Sequence, residues 1–222
     1  MPEFSQSTVV IIDYGMGNLF SVKQACEHVG LQATITCDSK QVRNVDAVIL
    51  PGVGAFGDAI TRLNKLDLIK PILDFVRSGK PLMGVCLGMQ LLMSESEEFG
   101  SYKGLNVFPG RVIKFPVESY HEEMTKVPQV GWNQLYKQRL SWDESPLAGI
   151  SEGEYMYFVH SYYCKFENSE VVLSVTRYAD IEYCSSILHK NIFACQFHPE
   201  RSGKEGLKIY KNFANLLKKK GS

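Results

Sequence analysis

The stretch Lys80–Gln90 (KPLMGVCLGMQ) constrains the fold more than any other part of the chain. A short apolar run leads into the turn GVCLG, and a helix-forming sequence follows. A strand that reverses sharply into a helix, with a glycine on each side of the turn, places the middle residue at the tip with its side chain exposed. Cys86 is therefore predicted at a helix start, where unpaired N–H groups and the helix dipole favour a thiolate. A buried structural cysteine between chance glycines explains this short motif equally well.

Composition excludes several classes of function. The 222 residues include 24 basic and 24 acidic side chains, so a nucleic-acid or anionic-membrane partner is not expected. No apolar run approaches the roughly 20 residues of a membrane span, and the polar N-terminus, residues 1–7, lacks the layout of a signal peptide. We therefore expect a cytoplasmic protein with one domain over residues 1–222. The six cysteines have no CxxC spacing, which predicts neither a metal site nor a redox dithiol.

The first part of the chain has the pattern of a parallel α/β sheet. Apolar, β-branched runs predict strands buried on both faces, at Thr8–Tyr14, Leu31–Cys37, Asp46–Leu50 and Leu82–Val85. Segments with apolar residues at helical spacing lie between and after them, at Leu19–Val29, Asp58–Leu66, Leu68–Ser78 and Met89–Ser94.

After Gly104 the pattern changes to shorter β-like segments. They predict antiparallel strands beside the parallel sheet, at 107–108, 111–115, 127–135, 155–166, 171–178, 183–190 and 192–197. The polar segments 116–126 and 137–153 are predicted surface loops. Residues 205–220 predict an amphipathic terminal helix.

Two loops follow predicted strands and are candidates for ligand contact. Asp13–Asn18 lies at the edge where open α/β sheets bind ligands, although it also fits a plain strand–helix connector. The glycine-rich loop 51–57 (PGVGAFG) fits either an oxyanion-binding loop with exposed N–H groups or a flexible connector. Glu95, Glu97 and Glu98 have the chemistry to bind an amine, but their composition favours a solvated helix end.

The tripeptide HPE at 198–200 supplies the groups that a cysteine nucleophile needs. An activated thiol requires a base within hydrogen-bond reach and a carboxylate that orients this base. His198 and Glu200 point to the same side if the backbone stays extended, which Pro199 favours. His160 is the rival base because it also ends an apolar run, but it has no carboxylate two residues away.

GVCLGMQ (84–90) together with FHPE (197–200) resembles the class I (triad) glutamine amidotransferases. Further motifs are similar to the glutaminase subunits of imidazole glycerol phosphate synthases within that class: DYGMGNL (13–19), LPGVG (50–54), GWN (131–133) and YFVHSY (157–162). The resemblance runs from about Val9 to Leu217. It implies an α/β, flavodoxin-like fold, in which a central and mostly parallel sheet is flanked by helices and extended by antiparallel strands.

The resemblance also implies roles for individual residues. Cys86 attacks the side-chain amide of glutamine, His198 activates the thiol and protonates the leaving ammonia, and Glu200 orients His198. Backbone N–H groups after the nucleophile and in the glycine loop hold the oxyanion, and other residues line the glutamine pocket. These implied binding residues are Gly52, Val53, Gly54, Leu87, Gln90, Glu98, Ser161 and Tyr162. On this basis Glu98 accepts the ammonium group of L-glutamine instead of ending a helix, and neither a cofactor nor a metal is expected.

A partner protein is implied in the same way. In similar proteins, ammonia passes to a (β/α)8-barrel cyclase subunit that docks over the glutaminase site and makes the products in histidine biosynthesis. The positions that resemble interface or coupling residues are Asn18, Trp132, Tyr157 and Arg201. The glycine loop is expected to be aligned only when the partner and its ligand bind, so we expect the chain alone to be a weak glutaminase.

Three alternatives stay open at this point. Gln129 stands where similar proteins commonly have histidine, and 160–164 and 183–186 resemble paralogues that supply ammonia for acetamidino-sugar formation in surface polysaccharides. The histidine-pathway function is favoured over that one. The intact set of Cys86, His198 and Glu200 disfavours a non-catalytic binding protein of the same fold. The glutamine-pocket matches disfavour a hydrolase of peptide or γ-glutamyl substrates.

Overall fold

The computed structural model describes residues 7–116, 126–178 and 180–220. Strands in this part of the chain are β1 (Thr8–Ile12), β2 (Gln32–Thr36), β3 (Ala47–Gly52), β4 (Leu82–Cys86), β5 (Met93–Ser96), β6 (Tyr102–Lys103), β7 (Phe108–Lys114), β8 (Gln129–Gln134), β9 (Tyr136–Lys137), β10 (Tyr155–His160), β11 (Tyr162–Phe166), β12 (Val172–Tyr178), β13 (Ile181–His189) and β14 (Ile192–Cys195). The α-helices are α1 (Leu19–His28), α2 (Ser39–Arg43), α3 (Phe56–Lys65), α4 (Ile69–Arg77), α5 (Leu87–Leu91) and α6 (Gly203–Lys220).

The central sheet has the strand order β2-β1-β3-β4-β14-β13-β12-β9. Strands β2, β1, β3, β4 and β14 pair with one another in parallel, and β14, β13, β12 and β9 pair in antiparallel fashion. The prediction that 192–197 is an added antiparallel strand is wrong on one side, because β14 pairs in parallel with β4. This arrangement confirms the predicted α/β fold with added antiparallel strands. Its parallel strands end at one edge, which brings the ends of β3, β4 and β14 together.

Two apolar layers cover the central sheet because successive side chains of a strand point to opposite faces. Val9 and Ile11 of β1 pack in the layer that contains helices α1 and α6. Val10 and Ile12 pack in the layer that contains α3, α4 and α5. Burial on both faces explains why β1 reads as a continuous apolar run. No described helix is both long enough and apolar enough to cross a membrane.

Two smaller sheets extend the fold beside the site. One has the order β11-β7-β5-β6, and the other pairs β8 with β10. The predicted strand 155–166 is therefore two strands, because the chain leaves its pairing with β8 at His160 and begins pairing with β7 at Tyr162. Ser161 lies between these pairings.

Several predicted elements differ from the structure. Helix α5 ends at Leu91, and the predicted helix 89–94 is wrong beyond that residue because Met93 pairs with Phe108 in a strand. The first strand ends at Ile12, before the predicted Tyr14. These boundaries depend on pairing with distant segments, which local sequence periodicity does not report.

The predicted surface loop 137–153 is irregular, as expected, but its apolar side chains are buried. Trp142 is 2% exposed, and its indole Nε1 donates a hydrogen bond to the Leu173 carbonyl at 2.9 Å. Leu147 and Ile150 are also buried in the same layer as α6. Most of the other predicted loop, 116–126, lies outside the described residues.

Candidate active site

Cys86 lies on the sharp turn between β4 and α5 that the sequence predicts. It is the last residue of β4, it precedes the first residue of α5, and its φ is +53°. A non-glycine residue in this region is strained, and such strain concentrates at functional sites. A Cβ at Gly88 would lie 1.7 Å from the Leu50 carbonyl oxygen, so only glycine allows α5 to approach β3 this closely. The prediction of an exposed side chain is wrong, because Cys86 is only 5% exposed.

His198 and Glu200 come together just beyond the end of β14. The imidazole Nδ1 lies 2.7 Å from Glu200 Oε1, and the two side chains are 4% and 2% exposed. The predicted extended backbone is wrong, since Pro199–Arg201 forms a 3₁₀ turn with the proline at its start. Proline has no N–H to lose at this position and its fixed φ suits a helical turn. This turn, and not an extended backbone, brings the side chains of His198 and Glu200 together although the residues are two positions apart.

The electrostatic environment of His198 sets its protonation state. Burial alone lowers the pKa of this imidazole, but its interactions with Cys86 and with the Glu200 carboxylate outweigh burial and raise the pKa to about 10. Nδ1 bonds to Glu200, so Nε2 is the nitrogen available for proton transfer. Nε2 is buried, and a hydrogen bond with the Cys86 side chain is among the causes that raise the pKa of His198. The charged form of His198 is therefore favoured at neutral pH.

His160, the rival base, is held in its neutral form. Its Nδ1 lies 2.9 Å from the Tyr162 carbonyl oxygen, and its Nε2 lies 3.2 Å from the Tyr183 hydroxyl. Burial lowers its pKa to about 4, against a smaller opposing effect of the Tyr162 carbonyl. Because protein groups contact both ring nitrogens of His160, neither nitrogen is available to accept a proton from Cys86.

The glycine loop lies against the turn at Cys86. Strand β3 runs to Gly52, which is paired with Cys86. The buried Tyr14 hydroxyl donates a hydrogen bond to the Pro51 carbonyl at 2.8 Å, and a Cβ at Gly52 would lie 1.9 Å from that hydroxyl and 3.1 Å from Leu87 Cβ. Gly54 has φ of +104°, in the region that favours glycine, and Val53 is 40% exposed. The loop therefore lies beside Leu87 at one end of the sheet.

Glu98, one of the predicted glutamine-binding residues, is a partly buried carboxylate that interacts with Tyr162. Glu98 Oε2 accepts a 2.6 Å hydrogen bond from the Phe56 N–H, and burial raises the pKa of Glu98 despite this bond. The negative charge of Glu98 contributes to a raised pKa of the Tyr162 hydroxyl, after burial as the main cause. Ser161 is half-buried between β10 and β11. Glu98 follows strand β5, so the predicted solvated helix end is wrong.

Gln90 is buried, and both hydrogens of its amide nitrogen are in use. Nε2 donates to the Tyr162 carbonyl and to Gln196 Oε1, both at 3.0 Å. Only Gln90 Oε1 is left to contact a ligand. Gln196 was not predicted as a site residue, yet its Nε2 lies 3.6 Å from Cys86 Sγ. The signal that sequence analysis missed was a lone amide in the apolar segment FACQF (193–197).

Trp132, Tyr157 and Arg201, three of the predicted interface residues, lie in one cluster at the surface. Trp132 is 55% exposed and pairs with Tyr157 across β8 and β10, with ring centroids 6.1 Å apart. The Arg201 guanidinium lies 4.4 Å from the Tyr157 ring centroid. Asn18 caps helix α1 by accepting a hydrogen bond from Ser21 N–H, and its turn reaches the glycine loop at Gly17, where a Cβ would lie 3.6 Å from Gly52 Cα.

The exposed cluster is bonded to the backbone of His198. The His198 N–H donates to the Tyr157 carbonyl at 2.9 Å. The Tyr157 N–H donates to Ser202 Oγ at 3.0 Å, and that hydroxyl donates to the His198 carbonyl at 2.7 Å. Ser202 is 3% exposed. One buried hydroxyl thus ties β10 to the catalytic candidate, and sequence analysis did not identify it.

Comparison with known proteins agrees with this geometry. The profile of the family "Glutamine amidotransferase class-I" matches residues 10–216. The imidazole glycerol phosphate synthase subunit HisH of Syntrophotalea carbinolica is 47% identical over 210 residues, which cover 94% of this chain and 100% of that protein. The protein of the same name from Caldanaerobacter subterraneus is 48% identical over 208 residues, which cover 94% of this chain and 98% of that protein.

Solved structures share the fold at low sequence identity. PurLQS from Thermotoga maritima is similar with a TM-score of 0.72 and 18% identity, over 96% of this chain and 99% of that chain. The glutaminase domain of Trypanosoma brucei CTPS has a TM-score of 0.64 at 18% identity, over 96% and 94% of the two chains. These likenesses establish the fold, and the sequence matches establish the family. The chain belongs to the class-I glutamine amidotransferase family and, within it, to the family of the imidazole glycerol phosphate synthase subunit HisH.

Proposed function

We propose that this chain is the glutaminase subunit of an imidazole glycerol phosphate synthase and that Cys86, His198 and Glu200 are its catalytic triad. The observation that carries the proposal is the buried 2.7 Å contact between His198 Nδ1 and Glu200 Oε1, beside a cysteine on a strained strand-to-helix turn. A thiol nucleophile needs this combination of base and orienting carboxylate. Relatives at 42–48% identity that are named for this enzyme support the proposal.

The reaction follows from the protonation state of the pair. The Cys86 thiolate attacks the amide carbon of glutamine, and the C–N bond breaks as His198 Nε2 gives its proton to the leaving ammonia. A γ-glutamyl thioester remains on Cys86. His198 then takes a proton from water as the water attacks the thioester, the C–S bond breaks, and glutamate leaves. Glu200 holds Nδ1 throughout and stabilises the charged imidazole.

The oxyanion formed in each step is stabilised by backbone N–H groups. The N–H of Leu87, next to the nucleophile, is one candidate donor, and the N–H of Val53 in the loop Gly52–Gly54 is the other. Tyr14 holds the Pro51 carbonyl on the strand side of this loop, whereas Val53 is exposed on the other side. A partner that contacts the exposed side is therefore able to change the direction of the Val53 N–H.

The pocket for L-glutamine lies between α5 and the β10–β11 junction. Glu98 accepts the ammonium group of the substrate, and its partly buried carboxylate gains most from a cationic partner. Gln90 contributes its amide oxygen, since its nitrogen is occupied. Ser161 and Tyr162 line the pocket beside Glu98.

The partner is a (β/α)8-barrel cyclase that receives the ammonia, in a cytoplasmic heterodimer. The exposed face of β8 and β10 supports this assignment, because Val130 and Trp132 are 59% and 55% exposed on one strand. Large apolar and aromatic side chains in such a patch are typical of docking surfaces. Asn18, Tyr157 and Arg201 are the remaining interface and coupling residues.

Replacing Cys86 with alanine tests the proposal. We expect Cys86→Ala to abolish glutamine-dependent synthesis by the complex, while synthesis from ammonium salts is retained because the cyclase site is intact. Both rates are measured with the cyclase subunit and the histidine-pathway nucleotide. Cys37→Ala, at an exposed cysteine, is the matched control and is expected to keep both activities. Retention of glutamine-dependent synthesis by Cys86→Ala would contradict the proposed nucleophile.

A further inference from the structure

Gln196 is a fully buried side chain that the proposed mechanism does not use. It is 0% exposed and follows the last residue of β14, two residues before His198. Its Nε2 lies 3.6 Å from Cys86 Sγ, and its Oε1 accepts a hydrogen bond from Gln90 Nε2 at 3.0 Å. A buried amide is costly unless its polar atoms are bonded. Both ends of this amide are bonded, one of them to the proposed reacting atom.

The orientation of the Gln196 amide follows from its neighbours. The Tyr162 carbonyl can only accept a hydrogen bond, so the Gln90 atom that faces it is the nitrogen. The second hydrogen of that nitrogen points to Gln196, which must therefore present its oxygen. The remaining end of Gln196, its NH₂ group, faces the sulfur. Hydrogen-bond networks of this kind decide between the two orientations of an amide.

We propose that Gln196 is a further catalytic residue that donates an N–H hydrogen bond to the Cys86 thiolate. The inference rests on the proposed function and assigns a second donor to the nucleophile, besides the imidazolium of His198. Hydrogen bonds to an ionised partner are stronger than bonds to a neutral one. Sulfur is negative before the attack and again when the thioester breaks. The Gln196 N–H therefore stabilises the free nucleophile and the same sulfur as a leaving group.

Other buried residues hold this donor in place. The Tyr162 carbonyl that orients Gln90 also accepts from His160 Nδ1 at 2.9 Å. His160 Nε2 contacts the Tyr183 hydroxyl at 3.2 Å, and that hydroxyl is 2.9 Å from Gln129 Oε1 on β8. The Tyr183 hydroxyl has one hydrogen and donates it to Gln129 Oε1, so close polar contacts, and not an unbroken series of hydrogen bonds, connect β8, the strand that carries Trp132, with Cys86. Gln90, His160, Tyr183 and Gln129 do not contact Cys86 in this arrangement, so we class them as positioning residues.

The ionisable groups that interact with Cys86 come from several elements. His198 is favoured in its charged form, as described above. Burial raises the pKa of Tyr14, Cys164 and Cys195, so all three are uncharged at neutral pH. Glu200 acts on His198 from the far side of the ring. Gln196 contributes a neutral dipole to this set, and its removal changes no charge.

The test compares Gln196→Met and Gln196→Glu with the natural chain, in the complex with the cyclase. Methionine keeps the length of the side chain and removes the donor, whereas glutamate keeps its shape and places an oxygen near the sulfur. Two quantities are measured, the kcat and KM for glutamine and the pH dependence of Cys86 alkylation by iodoacetamide, followed by peptide mass spectrometry. Alkylation reports the thiolate directly.

We expect kcat to fall about 10- to 100-fold in Gln196→Met, with KM changed less than threefold, as for one lost bond to a charged group. Cys86 alkylation should require a higher pH, and Gln196→Glu should lose at least as much activity. Asn191→Leu is the matched control, because its amide bonds to the Val76 and Lys80 carbonyls at the opposite end of β14. It should leave kcat and the alkylation profile unchanged.

The outcomes separate this inference from the proposed function. An unchanged alkylation profile in both Gln196 variants, with kcat near that of the natural chain, overturns the role of Gln196 even if Cys86→Ala is inactive. A kcat loss in Asn191→Leu equal to that of Gln196→Met also overturns it, because the loss then reports strand packing. Retained activity in Cys86→Ala instead overturns the proposed function.

Discussion

His198 and His160 are both buried near the ends of apolar strands, with 3% and 6% exposure, but they differ in charge. The pKa of His198 is raised to about 10, whereas that of His160 is lowered to about 4. Burial disfavours the charged form at both positions. The difference comes from the neighbours, because His198 interacts with the Glu200 carboxylate and with Cys86, whereas His160 contacts a carbonyl and a hydroxyl. In this fold, the identity of the bonded partner decides which histidine can transfer protons.

The two histidines also differ in how their backbones are held. His160 lies in the regular pairing of β10 with β8, opposite Gln129. His198 lies beyond the end of β14, where the Ser202 hydroxyl and the Tyr157 backbone hold it. The neutral histidine therefore belongs to the scaffold. The charged histidine lies at the boundary between the scaffold and the exposed face of β10, where the proposed partner would dock.

Removing the carboxylate beside His198 is expected to have the largest effect. Glu200→Gln should lower kcat for glutamine about 10³-fold or more, because the imidazole loses its orienting anion. The pKa of His198 should fall toward the ordinary value, which the pH dependence of kcat measures. Glu205→Gln, at an exposed carboxylate paired with Lys208, is the control and should retain activity. An equal loss of kcat in Glu200→Gln and Glu205→Gln would contradict the conclusion that the Glu200 carboxylate distinguishes His198 from His160.

We also expect Glu200→Gln to change how the free energy of unfolding depends on pH. The pKa of His198 is higher in the folded chain than the ordinary 6.5, so the folded chain binds this proton more tightly. The stabilisation is complete below about pH 6.5 and is lost as the pH rises through about 10. The free energy of unfolding of Glu200→Gln should therefore differ more from that of the natural chain at pH 6 than at pH 10. Urea unfolding at the two pH values measures this difference.

Ser202→Ala is expected to have an intermediate effect. Loss of the hydroxyl frees the His198 carbonyl and the Tyr157 N–H, so kcat should fall about 10-fold while the free energy of unfolding falls by about 1 kcal/mol. Ser145→Ala is a close control, because that hydroxyl also donates to a carbonyl at 2.7 Å, accepts an N–H at 3.0 Å and is buried, but near Trp142. Both variants should lose similar stability, and only Ser202→Ala should lose kcat. Ser202→Thr should restore most of the activity.

The smallest effect is expected at the neutral histidine. His160→Leu removes one of the two donors to the Tyr162 carbonyl, so kcat should fall only about 3-fold, with the pH dependence of kcat unchanged. Because the pKa of His160 is depressed to about 4, the natural chain loses stability as the pH falls from 6.5 toward 4. His160→Leu should lose less over this range, as urea unfolding at pH 7 and pH 5 will measure. A shifted pH profile of kcat would instead make His160 a proton-transfer group.

Local sequence patterns predicted much of the site correctly. The glycine spacing around Cys86 predicted the turn, and the structure supplies the reason at Gly88, where a Cβ would meet the Leu50 carbonyl of the distant strand β3. The pairing of His198 with Glu200 was also predicted, although the backbone between them is a 3₁₀ turn. The parallel strands were predicted because burial on both faces leaves continuous apolar runs.

Other features depend on contacts between distant segments. Strand β5 exists because Met93 meets Phe108, and the loop around Trp142 is buried because Leu173 accepts its indole hydrogen bond. Periodicity within a segment contains no information on such partners. For the same reason, the sequence did not predict the contact of Gln196 with Cys86 or the hydrogen bond of the Tyr157 N–H to Ser202.

The sequence alone predicted the turn at Cys86, the parallel α/β core and the His198–Glu200 pair, since glycine spacing, apolar runs and the two-residue separation of His198 and Glu200 are local patterns. The tertiary structure decided which histidine is charged, which amide faces the sulfur and which hydroxyl holds the base. Charge states and hydrogen-bond directions depend on distance and burial, and chain segments far apart in the sequence set both.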